Sequence, residues 1–202
     1  MSFPTLNNRN KAILGWLAAG LAVIVYLLFA FRRAWLSDDA FITFRTVDNF
    51  IQGYGLVWNT GERVQAYTHP LWMFLLSGVV FFTHEIYYTS IFLSLGVSAL
   101  AVLAAVRKVF PSPWAAAFGL LPLVFSASFV DYPTSGLENP LTHLLLVLFL
   151  AFYLAKPLKE ANPFLLSFIA SLAMLNRLDT ALLFLPALVA MLAVQGWRSF
   201  WP

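Results

Sequence analysis

The 202-residue chain contains no cysteine, and only 10% of its residues are charged. The missing cysteine excludes a disulfide framework and thiolate metal sites. Charge is well below the usual share of about 25%. With 61% hydrophobic residues and a mean hydropathy of +0.80, a water-soluble domain is excluded. A chain this small keeps too much surface in water to bury so much apolar area. The same composition excludes a disordered tail. There is no phosphate-binding glycine loop and no G-x-G-x-x-G, so no nucleotide site is indicated. The three histidines are not spaced as metal ligands and give no sign of a zinc site. A hard divalent cation held by carboxylates stays open, and no other cofactor is called for. Net charge is only +3, and the cations come in scattered pairs. That is the pattern of membrane flanks, not of a nucleic-acid footprint.

What remains is an all-α integral membrane protein, since backbone groups in lipid must be satisfied within their own segment. Ala12–Phe31 is a continuous apolar run that follows Arg9 and Lys11, long enough to cross about 30 Å of hydrocarbon. It is too long for a signal-peptide core, and no small-residue cleavage site follows. Further runs cover Ile86–Val106, Trp114–Val130, Pro140–Ala155, Pro163–Leu175 and Ala181–Val194. Pro70–Thr83 would reach only about 21 Å as a helix, which is short for a span. If it lies in the interface, Arg9, Lys11, Arg107, Lys108, Lys156, Lys159 and Arg198 share one side with a single acid, Glu160. The other side holds the remaining eight acids, and the positive-inside rule makes the basic side cytoplasmic.

This arrangement brings three polar segments to the outer face: the first outer loop, about residues 32–69, then Asp131–Asn139, and Asn176–Asp179. Within the loop, Ser37 and the acids Asp38 and Asp39 suit the start of a helix. Phe41, Phe44, Val47 and Ile51 form its apolar stripe, which predicts an amphipathic helix lying in the membrane interface. Gly53-Tyr54-Gly55 ends it, and Asn59-Thr60-Gly61 reads as a turn. The aromatic residues of Tyr67–Trp72 return the chain to headgroup level. The two carboxylates read either as a solvated helix start or as a general base for a sugar hydroxyl. His84-Glu85 reads as a cap for the short segment, and His143 as a helix-packing residue.

Asp38-Asp39-Ala40-Phe41-Ile42-Thr43-Phe44-Arg45, Gly53-Tyr54-Gly55-Leu56-Val57-Trp58-Asn59, Gly61-Glu62-Arg63-Val64 and Tyr67-Thr68-His69-Pro70-Leu71-Trp72 form one ordered block over residues 38–72. The block resembles the first-loop signature of GT-C membrane glycosyltransferases. It is nearest to the terminal arabinofuranosyltransferase-like bacterial members, relatives of the protein O-mannosyltransferases. It departs at Gln65-Ala66, where the family commonly has Glu-Gly, and at His69, where it commonly has Asn. Ser135-Gly136-Leu137-Glu138 resembles the family's second acidic motif, and Arg177-Leu178-Asp179 its Arg-Pro-acid element with Leu178 in place of proline.

The resemblance implies inverting transfer of a sugar from a polyprenyl-phosphate donor to a glycan, lipid or protein acceptor of the cell envelope. The setting would be a bacterial-type cytoplasmic membrane, with the active face extracytoplasmic and membrane lipid as a further partner. It places the base at Asp38 or Asp39, and Glu138 near the donor. Arg177, whose planar fork suits a phosphodiester, has an ion pair with Asp179 as its alternative reading. Arg45, Tyr67, His69 and Asp179 are further substrate-binding candidates. The resemblance also makes residues 1–202 a single transmembrane domain, the N-terminal part of a larger GT-C fold. A noncatalytic assembly subunit is one alternative. A transporter of a lipid-linked or small polar solute is disfavoured by the uniformly apolar spans.

Overall fold

The computed structural model describes residues 7–62 and 64–196. Arg63 of the first-loop block and Arg198 of the basic side lie outside the described residues. Those residues form helices and turns with no strand. The helices are α1 (Asn8–Arg32), α2 (Asp38–Ile51), α3 (Pro70–Thr83), α4 (Tyr87–Lys108) and α5 (Pro113–Phe125). They continue as α6 (Ala127–Asp131), α7 (Asn139–Leu154), α8 (Pro163–Asn176) and α9 (Ala181–Gln195). Short 3-10 turns occupy Tyr132–Thr134 and Leu178–Thr180.

Proline opens several of these helices, where its missing N–H costs nothing. Pro70, Pro113, Pro140 and Pro163 stand in the first turns of α3, α5, α7 and α8. Ser112 and Asn162 accept from Ala115 N–H and Leu165 N–H and cap α5 and α8. Glu85 caps α4, accepting from the N–H groups of Tyr87 and Tyr88 at 2.8 Å. The expected His84-Glu85 cap is therefore divided: Glu85 serves the helix that follows, and His84 ends α3 with a left-handed φ of 53°.

Among the described residues, three helical segments are long and apolar enough to cross a membrane: α1, α4 and residues 178–195. The run expected over Trp114–Val130 is not one helix. It breaks at Ser126, where the chain turns by 89°, and counts as a fourth span only if the bent pair is taken together. Ser126 causes the break by accepting from Phe129 N–H and starting α6 in a new direction. Helices α7 and α8 are apolar but only 16 and 14 residues long.

Helix α1 shows why the bundle suits lipid. Gly15, Ala19, Val23, Tyr26 and Ala30 are buried along one side. Leu17, Leu21, Ile24 and Leu28 form an exposed stripe along the other. The buried side packs on Ala116, Leu120 and Val124 of α5 and on Val102 and Val106 of α4. A second core joins α7, α8 and α9 through Leu145, Phe149, Leu166, Ala173 and Phe184, with Trp72 of α3 reaching into it. The apolar stripe of α2 forms as expected and packs largely on α3, with Phe41 left exposed. Phe44 and Val47 are buried against Met73, Leu76 and Val80 of α3, an apolar helix that offers the nearest apolar surface.

Cross-links between segments define two ends. Trp114 Nε1 donates to Lys11 O, and Gln195 Nε2 to Leu158 O and Ala161 O. The starts of α1 and α5, the end of α4 and the 155–162 turn thus lie away from the polar segments. Arg9, Lys11, Arg107, Lys108, Lys156 and Lys159 all belong to that basic end. At the opposite end, Arg33 pairs with Asp131 at 3.1 Å, and Asn176 Nδ2 donates to Glu138 O.

Candidate functional site

Three helix ends meet at this second end and supply the site. His69 immediately precedes α3, Glu138 precedes α7, and Arg177 follows α8. Proline after the first and near the second fixes where each helix begins. Arg177 leaves helical geometry altogether, with φ −152° and ψ 118°.

Glu138 is the hub. Its Oε2 lies 3.2 Å from His69 Nδ1 and its Oε1 3.3 Å from Arg177 Nη1. The residue is only 7% exposed, so partners on both oxygens replace the water it has lost. Arg177 grips Asp179 side-on, with Nε donating to Oδ1 at 3.0 Å and Nη2 to Oδ2 at 2.8 Å. His69 Nε2 is 2.7 Å from Thr43 Oγ1 on α2. Burial holds the His69 imidazole below the ordinary histidine range, Glu138 pulls it upward, and Arg177 lowers it again.

The turn before Glu138 positions α2 against this cluster. Ser37 makes no side-chain cap; its N–H instead donates to Ser135 O at 2.9 Å. Trp72 Nε1 donates to Gly136 O at 2.9 Å. Gly136 has φ +80°, and a Cβ there would fall 2.7 Å from Ala40 Cβ. Glycine is thus required twice, for a left-handed backbone and for close approach to the first turn of α2.

A cavity of about 570 Å³ opens between these parts, lined by Asp39, Thr43, Gln65, Tyr67, His69 and Glu138 among others. Asp39 is exposed to it and has no hydrogen-bond or ion-pair partner among the described residues. Asp38 does not line the cavity, because adjacent helical residues point about 100° apart. Arg45 also faces away. Its Nη2 donates to Asn59 at 2.6 Å, and its guanidinium lies 4.7 Å over the Trp58 ring, bracing the loop after α2. Arg177 and Asp179 stand behind Glu138 and do not line the cavity. Of the eight candidates, the structure brings together Asp39, Tyr67, His69, Glu138, Arg177 and Asp179, leaving Asp38 and Arg45 apart.

Two contributors carried weak signals in the sequence. Thr43 lies one helical turn after Asp39 and shares its face. Asn176, fully buried, donates from Nδ2 to Glu138 O and to Thr142 Oγ1, tying α8 to α7. His143 stacks on Phe129 with ring centroids 4.5 Å apart, a packing role. Among the described residues no group of three or more His, Asp or Glu is placed to hold a metal ion.

The chain is 33% identical, over 91% of its length, to the terminal beta-(1->2)-arabinofuranosyltransferase of Mycobacterium tuberculosis H37Rv, of which the match covers 32%. A 60-residue match is 45% identical to the protein of the same name from Corynebacterium glutamicum, covering 28% of this chain and 9% of that one. No family model matches the chain, and no solved structure gives a significant match. The chain spans about a third of the length of the mycobacterial relative. Over nine-tenths of its own length it is a homologue of the terminal arabinofuranosyltransferases, the GT-C line that its first-loop block resembles.

Proposed function

We propose that this chain carries the donor-side chemistry of a GT-C glycosyltransferase that moves a sugar from a polyprenyl-phosphate carrier to an acceptor hydroxyl. One observation carries the reading: Asp39 and Glu138, from separate segments, line one cavity beside Arg177. The names of both relatives make an arabinofuranosyl unit the first donor to test.

Asp39 is the base. It alone among the candidate acids combines a place on the cavity wall with freedom from partners among the described residues. Its carboxylate takes the acceptor proton as that oxygen attacks the anomeric carbon. The bond from the anomeric carbon to the phosphate oxygen breaks, and its electron pair leaves with the polyprenyl phosphate. Arg177 keeps N–H groups beyond those that Glu138 and Asp179 occupy, and these stabilise the departing phosphate. Among the described residues, the cavity wall itself holds carboxylates, hydroxyls and amides but no lysine or arginine, which suits a polyhydroxyl ring. The anionic phosphate sits on the Arg177 side.

The basic end faces the cytoplasm and the cavity faces outward, in a bacterial-type cytoplasmic membrane. Residues 1–202 act as one transmembrane domain, part of a larger GT-C fold. Transfer of labelled sugar from polyprenyl-phosphate arabinofuranose in membranes containing the chain tests the reading, with the anomeric configuration of the product determined. Transfer with inversion is expected. A retained configuration contradicts single displacement, and absence of transfer across several donors contradicts the reading as a whole.

A further inference from the structure

His69 stands where the resembled family commonly has asparagine, and both of its ring nitrogens are engaged in a buried setting. The residue is 7% exposed. Nδ1 faces Glu138 Oε2 at 3.2 Å, and Nε2 faces Thr43 Oγ1 at 2.7 Å. The Glu138 carboxylate, set against Arg177, can only accept, so Nδ1 must carry a proton. In a neutral ring Nε2 is then bare and accepts from the Thr43 hydroxyl. The contacts therefore select one tautomer and one ring orientation.

We infer that His69 is a positioning residue for the proposed transfer: its Nδ1–H fixes the Glu138 carboxylate against Arg177, while Thr43 fixes the imidazole. The inference rests on the reading of the cavity as a glycosyl-transfer site. Glu138 is the contact between the cavity wall and the guanidinium assigned to phosphate. With Oε2 held by His69 and Oε1 by Arg177, it cannot rotate away from the guanidinium. The arrangement joins α2, the segment before α3, the turn before α7 and the break after α8 into one line of contacts. Displacement of a positioned group by about 1 Å can cost about 100-fold in rate.

The charged and polar groups facing His69 define its pH behaviour. Thr43 and, across the cavity, Asp39 come from α2. Thr68 comes from its own segment, where its Oγ1 lies 3.4 Å from Nδ1. Glu138 comes from the turn before α7, with Arg177 and Asp179 behind it. Protonation would place a second N–H against the Thr43 hydroxyl and a second cation beside Arg177. Burial opposes it. The neutral form therefore persists at pH 7, and the acid limb of transfer associated with His69 lies below the ordinary histidine value of about 6.5.

Two substitutions separate the two contacts. In His69→Asn the amide reaches the position of Nδ1 and can still donate to Glu138. In His69→Gln it reaches the position of Nε2, keeps Thr43 and loses Glu138. His69→Asn should retain transfer within about fivefold and lose the acid limb, while His69→Gln should lower kcat by about 10- to 100-fold, a loss of positioning. Nitrogen-15 NMR of the purified native chain in detergent, with His69 assigned by its absence from His69→Asn, should show the Nδ1–H tautomer. That measurement decides the contact geometry even where His69→Gln does not fold. The Nε2–H tautomer overturns the inference, as does His69→Gln transferring as well as His69→Asn. A native chain that transfers nothing overturns the transfer reading first; a native chain that transfers while both variants match it overturns this inference alone.

Discussion

Adjacent side chains on a helix have different fates, and Asp38 and Asp39 depend on that difference. Their pairing is visible in the sequence, but which one meets the cavity is set by the rotation of α2. That rotation is fixed at a distance, by Gly136 against Ala40 and by Ser37 N–H on Ser135 O. The sequence block could not distinguish Arg45 either, because tertiary contacts alone turn it toward Trp58 and Asn59. At Arg177 the planar fork is already pinned side-on by Asp179. Lysine offers charge without that fork, so Arg177→Lys should raise the donor KM by roughly tenfold. A donor titration of transfer checks this, and an unchanged KM would remove Arg177 from phosphate binding.

Among elements, the turn before α7 bears most on the site. Gly136→Ala combines a positive φ with a contact of 2.7 Å to Ala40 Cβ. It should destabilise the fold by about 1–3 kcal/mol. Thermal unfolding in detergent should show a lower Tm, and an unchanged Tm would mean that the turn is not packed against α2 as described. The glycine was legible as part of a Ser-Gly-Leu-Glu motif, while its packing partner was not. The bend at Ser126 was hidden for a related reason. Hydropathy over residues 114–130 is continuous and carries no direction, whereas the break depends on one serine accepting from Phe129 N–H. The apolar stripe of α2 was legible as a stripe. Its packing on α3 depends on which apolar surface folds closest.

At the scale of the whole molecule, charge is sorted between two ends. The short basic turns lie at one, and the cavity lies at the other. This sorting was readable in the sequence because every pair of cations sits at the end of an apolar run, and run length fixes how often the chain reverses. The native chain has no cysteine, so single introduced thiols report sidedness cleanly. Gln65→Cys, on the exposed cavity wall, should react with an impermeant maleimide from outside intact cells. Lys159→Cys should react only after permeabilisation. Reaction of both from the same side would contradict the two-ended arrangement.

In the proposed mechanism Asp39, and not its neighbour, takes the acceptor proton at the shared cavity. Transfer from polyprenyl-phosphate sugar should be measured side by side for the native chain, Asp38→Asn and Asp39→Asn at matched abundance in membranes. Asp39→Asn should lower kcat by about 100-fold or more, the usual scale for removing a general base. Asp38→Asn should remain within a few-fold of native, as expected for an exposed side chain away from the chemistry. Equal loss in both, or loss confined to Asp38→Asn, would contradict the assignment and the orientation of α2 on which it rests.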